Sequence, residues 1–240
     1  MIKVTYEHHV GDDITVVNAA RVSFGKKSRY YYGDEAEIAE DFDREWEYPT
    51  FMLGEDVRLI NYLARHHHKS PFNHCFATFH VKAPIFVARQ LQKHEYMPWN
   101  EISRRYVDSE PEFYQPDTWR GRSSDKKQGS EGEVDMVDIN GRFPLSPKTV
   151  QTLSDGKTLE AYRNLIDAGV APEQARMVLP QSMMTEWYWS GSLYAFSKMC
   201  GLRLKPDTQY ETRLVAEQIE DKMTELFPES WTALRAYDDA

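Results

Sequence analysis

Residues 89 to 106 read RQLQKHEYMPWNEISRRY, and they concentrate side chains able to do binding chemistry. Arg89, Lys93, Arg104 and Arg105 supply positive charge, Glu95 and Glu101 are acceptors, and Tyr96, Trp99 and Tyr106 are planar. Guanidinium forks suit phosphate oxygens and also stack on flat rings. Asn100, Glu101 and Ser103 add an amide, a carboxylate and a hydroxyl for a polar edge. Two readings stand side by side: a solvated basic face that ends in a turn, or a site for a nucleotide-sized anion.

Histidines 66 to 68, 74, 80 and 94 raise the question of a metal. Zinc sites use regular spacings, such as a His pair four apart on a helix with a further ligand downstream. HHH followed by His74 matches none of these and carries no carboxylate pattern, so no metal is expected. His80 falls in a strand pattern, whereas His68 precedes Ser70-Pro71 at a helix-to-loop junction, where side chains reach ligands.

These residues must be positioned by a folded chain, and the composition allows one. Of 240 residues, 41% are hydrophobic and 13% aromatic, enough to bury a core and to exclude a disordered chain. The net charge of −9 argues against broad nucleic-acid binding but leaves room for a local Arg cluster around a small anion. No long apolar run or signal-like N-terminus is visible, so a soluble, cytoplasmic protein without membrane association is expected. Cys75 and Cys200 sit in apolar surroundings and read as buried free thiols.

Along the chain, MIKVTYEHH reads as a strand, Gly11-Asp12-Asp13 as a turn, and DEAEIAEDFDREW as an acidic helical excursion through Ile38, Phe42 and Trp46. EDVRLINYLARHHH places Val57, Ile60, Leu63 and Ala64 on one helical face. CFATFHVKAP alternates as a strand closed by Pro84, and the next helix, with Ile85, Ala88, Leu91 and Gln92 in phase, is expected to run to near Pro98. On that reading Arg89 and Lys93 share a helical face. Residues 117 to 147 read as a mobile loop. Helices are expected over SPKTVQTLSDGKTLEAYRNLIDAG, in two stretches around Pro180, and through Leu214, Ile219, Met223 and Leu226. The expected class is α+β, a helix-rich single domain over residues 1–240 with a small antiparallel sheet.

KHEYMPWNEISRRY at 93 to 106 resembles the RHRxxSxNExSxRY fingerprint of the flavin-dependent thymidylate synthases. Asn100, Glu101, Ser103, Arg105 and Tyr106 match, and the first half keeps His94. AARVSF at 19 to 24, HKSPFNH at 68 to 74, FHVKAPIFVARQ at 79 to 90, ARMVLP at 175 to 180 and GLR at 201 to 203 also look like family blocks. Segments 25–54 and 117–147 stand out as insertions.

The resemblance implies reductive methylation of dUMP to dTMP. FAD is the cofactor, methylenetetrahydrofolate the carbon donor and NADPH the reductant, in a homotetramer with sites between subunits. Gln90, Lys93, Glu101, Ile102, Ser103, Arg104, Arg105, Arg176 and Arg203 fall at dUMP positions. Arg203 falls at the catalytic position that favours ionisation of uracil N3. Ser23, His68, Ser70, Lys93, His94, Glu95, Glu101, Ser192, Tyr194 and Lys198 fall on the flavin side. Here Lys93, Glu95 and Pro98 replace the fingerprint's two Arg and its first Ser, and Ser192, Tyr194 and Lys198 replace Asn, Arg and Asn. The flavin half is therefore rewritten, with Lys198 able to resupply positive charge. The same resemblance also admits a different one-carbon transfer to a deoxyuridylate, such as hydroxymethylation, or a non-catalytic nucleotide binder.

Overall fold

The computed structural model describes residues 1–32, 50–107, 109–124, 129–139, 141 and 143–237. The acidic helix expected around Ile38 to Trp46 lies outside them. β1 (Lys3–Val10) leads into α1 (Asp13–Arg21) and a 3-10 turn at Val22–Phe24. β2 (Tyr31–Tyr32) and β3 (Thr50–Phe51) pair antiparallel. Next come α2 (Gly54–Arg65), β4 (Phe76–Pro84), α3 (Ile85–Leu91) and β5 (Trp99–Glu101). The hairpins β6 (Arg120–Arg122) with β7 (Ser130–Glu133) and β8 (Val137–Ile139) with β9 (Phe143–Leu145) precede α4 (Pro147–Asp167) and the one-turn α5 (Pro172–Ala175). β10 (Met184–Ser192), α6 (Leu193–Arg203), α7 (Tyr210–Leu226) and α8 (Pro228–Ala236) complete the chain. The fold is α+β, and its main sheet has the order β1-β4-β10-β5.

Local chemistry sets several boundaries. Asp12 caps α1 by accepting from Thr15 N at 2.8 Å, while Thr15 Oγ1 accepts from Asp12 N at 3.2 Å. Gly11 has φ +85, and a Cβ there would lie 2.8 Å from Cys75 Sγ, so only glycine fits. Pro147 and Pro228 open α4 and α8, where a missing N–H costs nothing. Among the described residues no helix is long and apolar enough to cross a membrane.

Two compact units emerge. The first comprises Met1–Tyr6, Phe79–Trp189 and Leu202–Gln218, with Phe79, Val81, Val87, Leu91, Trp187 and Trp189 fully or almost fully buried. The second comprises Glu7–Thr78, Ser190–Gly201 and Ile219–Ala240, with Val16, Ile60, Phe72, Phe196, Met199 and Trp231 buried. Burying each such side chain contributes about 1.5–3 kcal/mol. Within the second unit the wholly buried Asp56 carboxylate is held by Arg21 Nη2 at 2.5 Å and Ser28 Oγ at 2.9 Å. Cys75 and Cys200 are buried and lie outside any disulfide.

Three elements differ from the sequence expectations. α3 stops at Leu91 instead of running to Pro98, so Lys93 lies past the helix and shares no helical face with Arg89. The buried Met97 and the Trp99–Trp187 stack draw the chain away from the helix axis, so tertiary packing overrides local periodicity. MTEWYWSGS forms a strand where a helical stretch was expected: it pairs between β4 and β5, with Trp187 and Trp189 buried and Glu186 and Tyr188 partly exposed in alternation. Within 117–147, four strands form where a mobile loop was expected; positive φ occurs at Gly129, at Gly132 where the β6–β7 register shifts, and at Gly141.

Candidate active site

The first unit holds a clamp around Arg203, the last residue of α6. Its Nε donates to His94 Nε2 at 3.0 Å and its Nη2 to the carbonyl oxygen of Gln90 at 2.9 Å. Gln90 stands in the last turn of α3, and His94 follows in the turn that leaves it, with its amide bonded to Leu91 O at 3.1 Å. Tyr96 then adopts φ +59, a left-handed conformation costly for a bulky residue, which lets the chain reverse into β5. β5 is pinned by Trp99, stacked on Trp187 at 4.3 Å and edge-on to Trp189 at 5.8 Å. Trp189 also lies 6.4 Å from the His94 ring.

The Gln90 side chain is fixed as well. Its Oε1 accepts from the buried Thr212 Oγ1 at 3.2 Å, and its Nε2 donates to Gln209 Oε1. Burial, aided by the Arg203 charge, pushes His94 down to about 4, and burial lowers Arg203 from its ordinary value. The site thus joins a neutral imidazole to a guanidinium that remains charged.

Gln90, Lys93 and Arg203 line a cleft of about 1310 Å³, large enough for a nucleotide and a second ring system. Phe86, Tyr114 and Trp119 supply flat walls. Arg120 Nη2 meets Glu211 Oε1 at 2.5 Å and its guanidinium lies 4.4 Å over the Tyr210 ring. Burial, aided by the Glu211 charge, pushes Tyr114 up to about 12. Asp155 accepts from Ser182 Oγ at 3.2 Å and Gln151 Nε2 at 3.1 Å, yet burial still raises its pKa. None of these walls was singled out from sequence. Tyr114, Arg120, Gln151 and Glu211 come from separate elements, and no local spacing links them.

The turn after β5 has its own order. Glu101 Oε1 accepts from Thr185 Oγ1 at 2.6 Å and Oε2 from Trp99 Nε1 at 3.2 Å. Ile102 N donates to Glu186 O at 3.0 Å. Ser103 Oγ accepts from Arg105 Nε at 3.3 Å, and Arg105 lies 4.9 Å over Tyr106. Arg104 Nη1 donates to Ser109 O. Arg176 is exposed, with Nε on Glu173 O at 3.3 Å. Glu95, Glu101, Ile102, Ser103, Arg104, Arg105 and Arg176 do not line the cleft that holds Arg203.

In the second unit His68, Tyr194 and Lys198 surround a small cavity of about 20 Å³ with His67 and Tyr237. The Tyr62 ring stacks on His68 at 5.9 Å, and Lys69 Nζ lies 5.5 Å from the Tyr194 ring. Ser192 Oγ donates to Asn73 Oδ1 at 2.7 Å and accepts from Ala195 N at 3.1 Å, so it starts α6. Ser23, Ser70 and Ser192 do not line this cavity, and Ser23 is exposed.

The family model described as thymidylate synthase complementing protein matches residues 6–229. The flavin-dependent thymidylate synthase of Thermus thermophilus is 39% identical over 228 residues, covering 95% of this chain and 73% of its own. That of Kosmotoga olearia is 37% identical over 208 residues, covering 86% and 78%. The crystal structure of the UMP/dUMP methylase PolB from Streptomyces cacaoi, bound with 5-Br dUMP, superposes with a TM-score of 0.75 at 30% identity, covering 99% of this chain and 96% of that one. A match along nearly the whole chain, in sequence and in fold, places this protein in the flavin-dependent thymidylate synthase family.

Proposed function

We propose that the chain converts dUMP to dTMP by reductive methylation, with methylenetetrahydrofolate as carbon donor and NADPH as reductant. The observation that carries this reading is the Arg203 clamp on the wall of a nucleotide-sized cleft. A guanidinium held on two sides keeps its charge and direction, and it stabilises negative charge that develops on a uracil ring. Gln90, with its amide fixed by Thr212 and Gln209, suits an edge of the base, and Lys93 suits the phosphate as a point charge. The remaining nucleotide contacts are assigned to Glu101, Ile102, Ser103, Arg104, Arg105 and Arg176. These lie outside the Arg203 cleft, which accords with a homotetramer whose sites form between subunits.

His68, Tyr194 and Lys198 are assigned to an edge of the flavin, since the cavity of about 20 Å³ that they line is too small to enclose it. A lysine ammonium and imidazole nitrogens beside an aromatic ring are the donor set that a pyrophosphate and its attached rings need. Ser23, Ser70, Lys93, His94, Glu95, Glu101 and Ser192 complete the flavin side of the proposal. FAD, once bound and reduced by NADPH, would supply the hydride that reaches the uracil ring. The chain's own residues orient the base, hold its charge and keep water from the reacting face.

A second reading keeps the chemistry and widens the substrate, because the solved neighbour is a UMP/dUMP methylase. Adding FAD, NADPH and methylenetetrahydrofolate to the purified protein and following tritium release from C5-labelled dUMP and UMP in competition tests both. Release from dUMP that requires FAD and methylenetetrahydrofolate is expected. Equal release from UMP selects the second reading, and a protein that takes up no FAD refutes the first.

A further inference from the structure

We propose that His94 is a positioning residue for Arg203, accepting the Arg203 Nε–H through Nε2 and so setting the plane of the guanidinium on the cleft wall. The inference rests on the proposed role of Arg203 and assigns His94 a task on the nucleotide side of the site.

The hydrogen bond dictates the state of the ring. An arginine Nε–H can only donate, so Nε2 must accept, and the imidazole proton must sit on Nδ1. A doubly protonated ring would turn two donors toward each other beside a full positive charge. The low pKa of His94 agrees with this arrangement.

The contacts also explain why two anchors are needed. Gln90 O holds only Nη2, and a guanidinium held at one nitrogen can still swing. The second bond, at Nε, removes that freedom. Among the described residues no hydrogen bond engages Nη1, so the clamp leaves that nitrogen able to donate to a ligand. His94 is itself braced, through its amide on Leu91 O and its ring beside Trp189. Its neighbours Lys93 and Glu95 are exposed, so His94 is the least exposed of Lys93-His94-Glu95.

The test compares wild type with His94→Phe, which keeps a flat ring but removes the acceptor, and His94→Gln, whose amide oxygen can take the same Nε–H. Hydrogen exchange of the Arg203 Nε–H, followed by NMR on ¹⁵N-arginine protein, reads the bond without any turnover. Exchange should be slow in wild type and His94→Gln and at least about tenfold faster in His94→Phe. In the methylation assay at saturating FAD, kcat should fall about tenfold or more in His94→Phe and be largely recovered in His94→Gln. In an Arg203→Ala background His94→Phe should change kcat no further. Unchanged Arg203 exchange in a folded His94→Phe protein overturns the proposal. So does a loss confined to FAD affinity, with kcat normal once FAD saturates. If wild type makes no dTMP, the methylation reading fails, and the exchange measurement still decides the role of His94.

Discussion

Acid should loosen the clamp, and the cost follows from the structure. Burial, with the Arg203 charge behind it, holds His94 near 4 in the folded protein, whereas a free imidazole titrates at 6.5. Between those values the unfolded chain binds more protons than the native one, so stability is present above about 6.5 and is lost as pH falls toward 4. At about 1.36 kcal/mol for each tenfold change in proton affinity, a wholly enclosed ring would lose about 3 kcal/mol. The His94 ring is only partly buried, and screening reduces the working figure to about 1–2 kcal/mol. Asp13 and Asp155 act in the opposite sense, since their raised values make their native carboxyls keep protons longer as pH rises. His94→Gln shares those carboxyls, so the difference between the two proteins isolates the imidazole. Urea unfolding of both, at one protein concentration, should show wild type losing about 1–2 kcal/mol relative to the variant between about pH 7.5 and pH 4.5. A difference independent of pH would refute a buried neutral His94.

Three further outcomes are expected. Arg21→Ala removes the main partner of the wholly buried Asp56 and should cost about 3–5 kcal/mol in denaturant unfolding; a loss under about 1 kcal/mol would show that the pair is dispensable. Thr212→Val removes one of the two bonds that fix the Gln90 amide and should cost about 1 kcal/mol of stability and several-fold in dUMP affinity by calorimetry. Lys198→Ala should weaken FAD affinity by about tenfold in a fluorescence titration, and full retention would remove Lys198 from the flavin site.

What was legible in the chain was mostly local. The Pro84 boundary between β4 and α3 is set by proline's fixed φ and missing N–H, so residue type alone marks it. β10 was not read as a strand, although Trp187 and Trp189 alternate with the more exposed Glu186, Tyr188 and Ser190, because the pairing with β4 and β5 that fixes it comes from segments distant in sequence. The end of α3 depends on a left-handed Tyr96 and on Trp99 finding Trp187, contacts that helical spacing does not encode. Family blocks pointed to Arg203, Gln90 and His94, yet the bonds joining them cross 109 and 113 residues and appear only in the folded chain. Tyr114, Arg120 and Asp155 had neither a block nor a periodicity to mark them.

The central claim is that Arg203 presents a fixed positive charge to dUMP during its reductive methylation. Mass spectrometry of the product from dUMP, methylenetetrahydrofolate and NADPH, with and without FAD, tests it most directly in wild type and Arg203→Ala. The account expects dTMP from wild type only when FAD is present, and a loss of about 100-fold or more in Arg203→Ala with FAD still bound. A hydroxymethylated product, unaltered dUMP, or full activity in Arg203→Ala would contradict it.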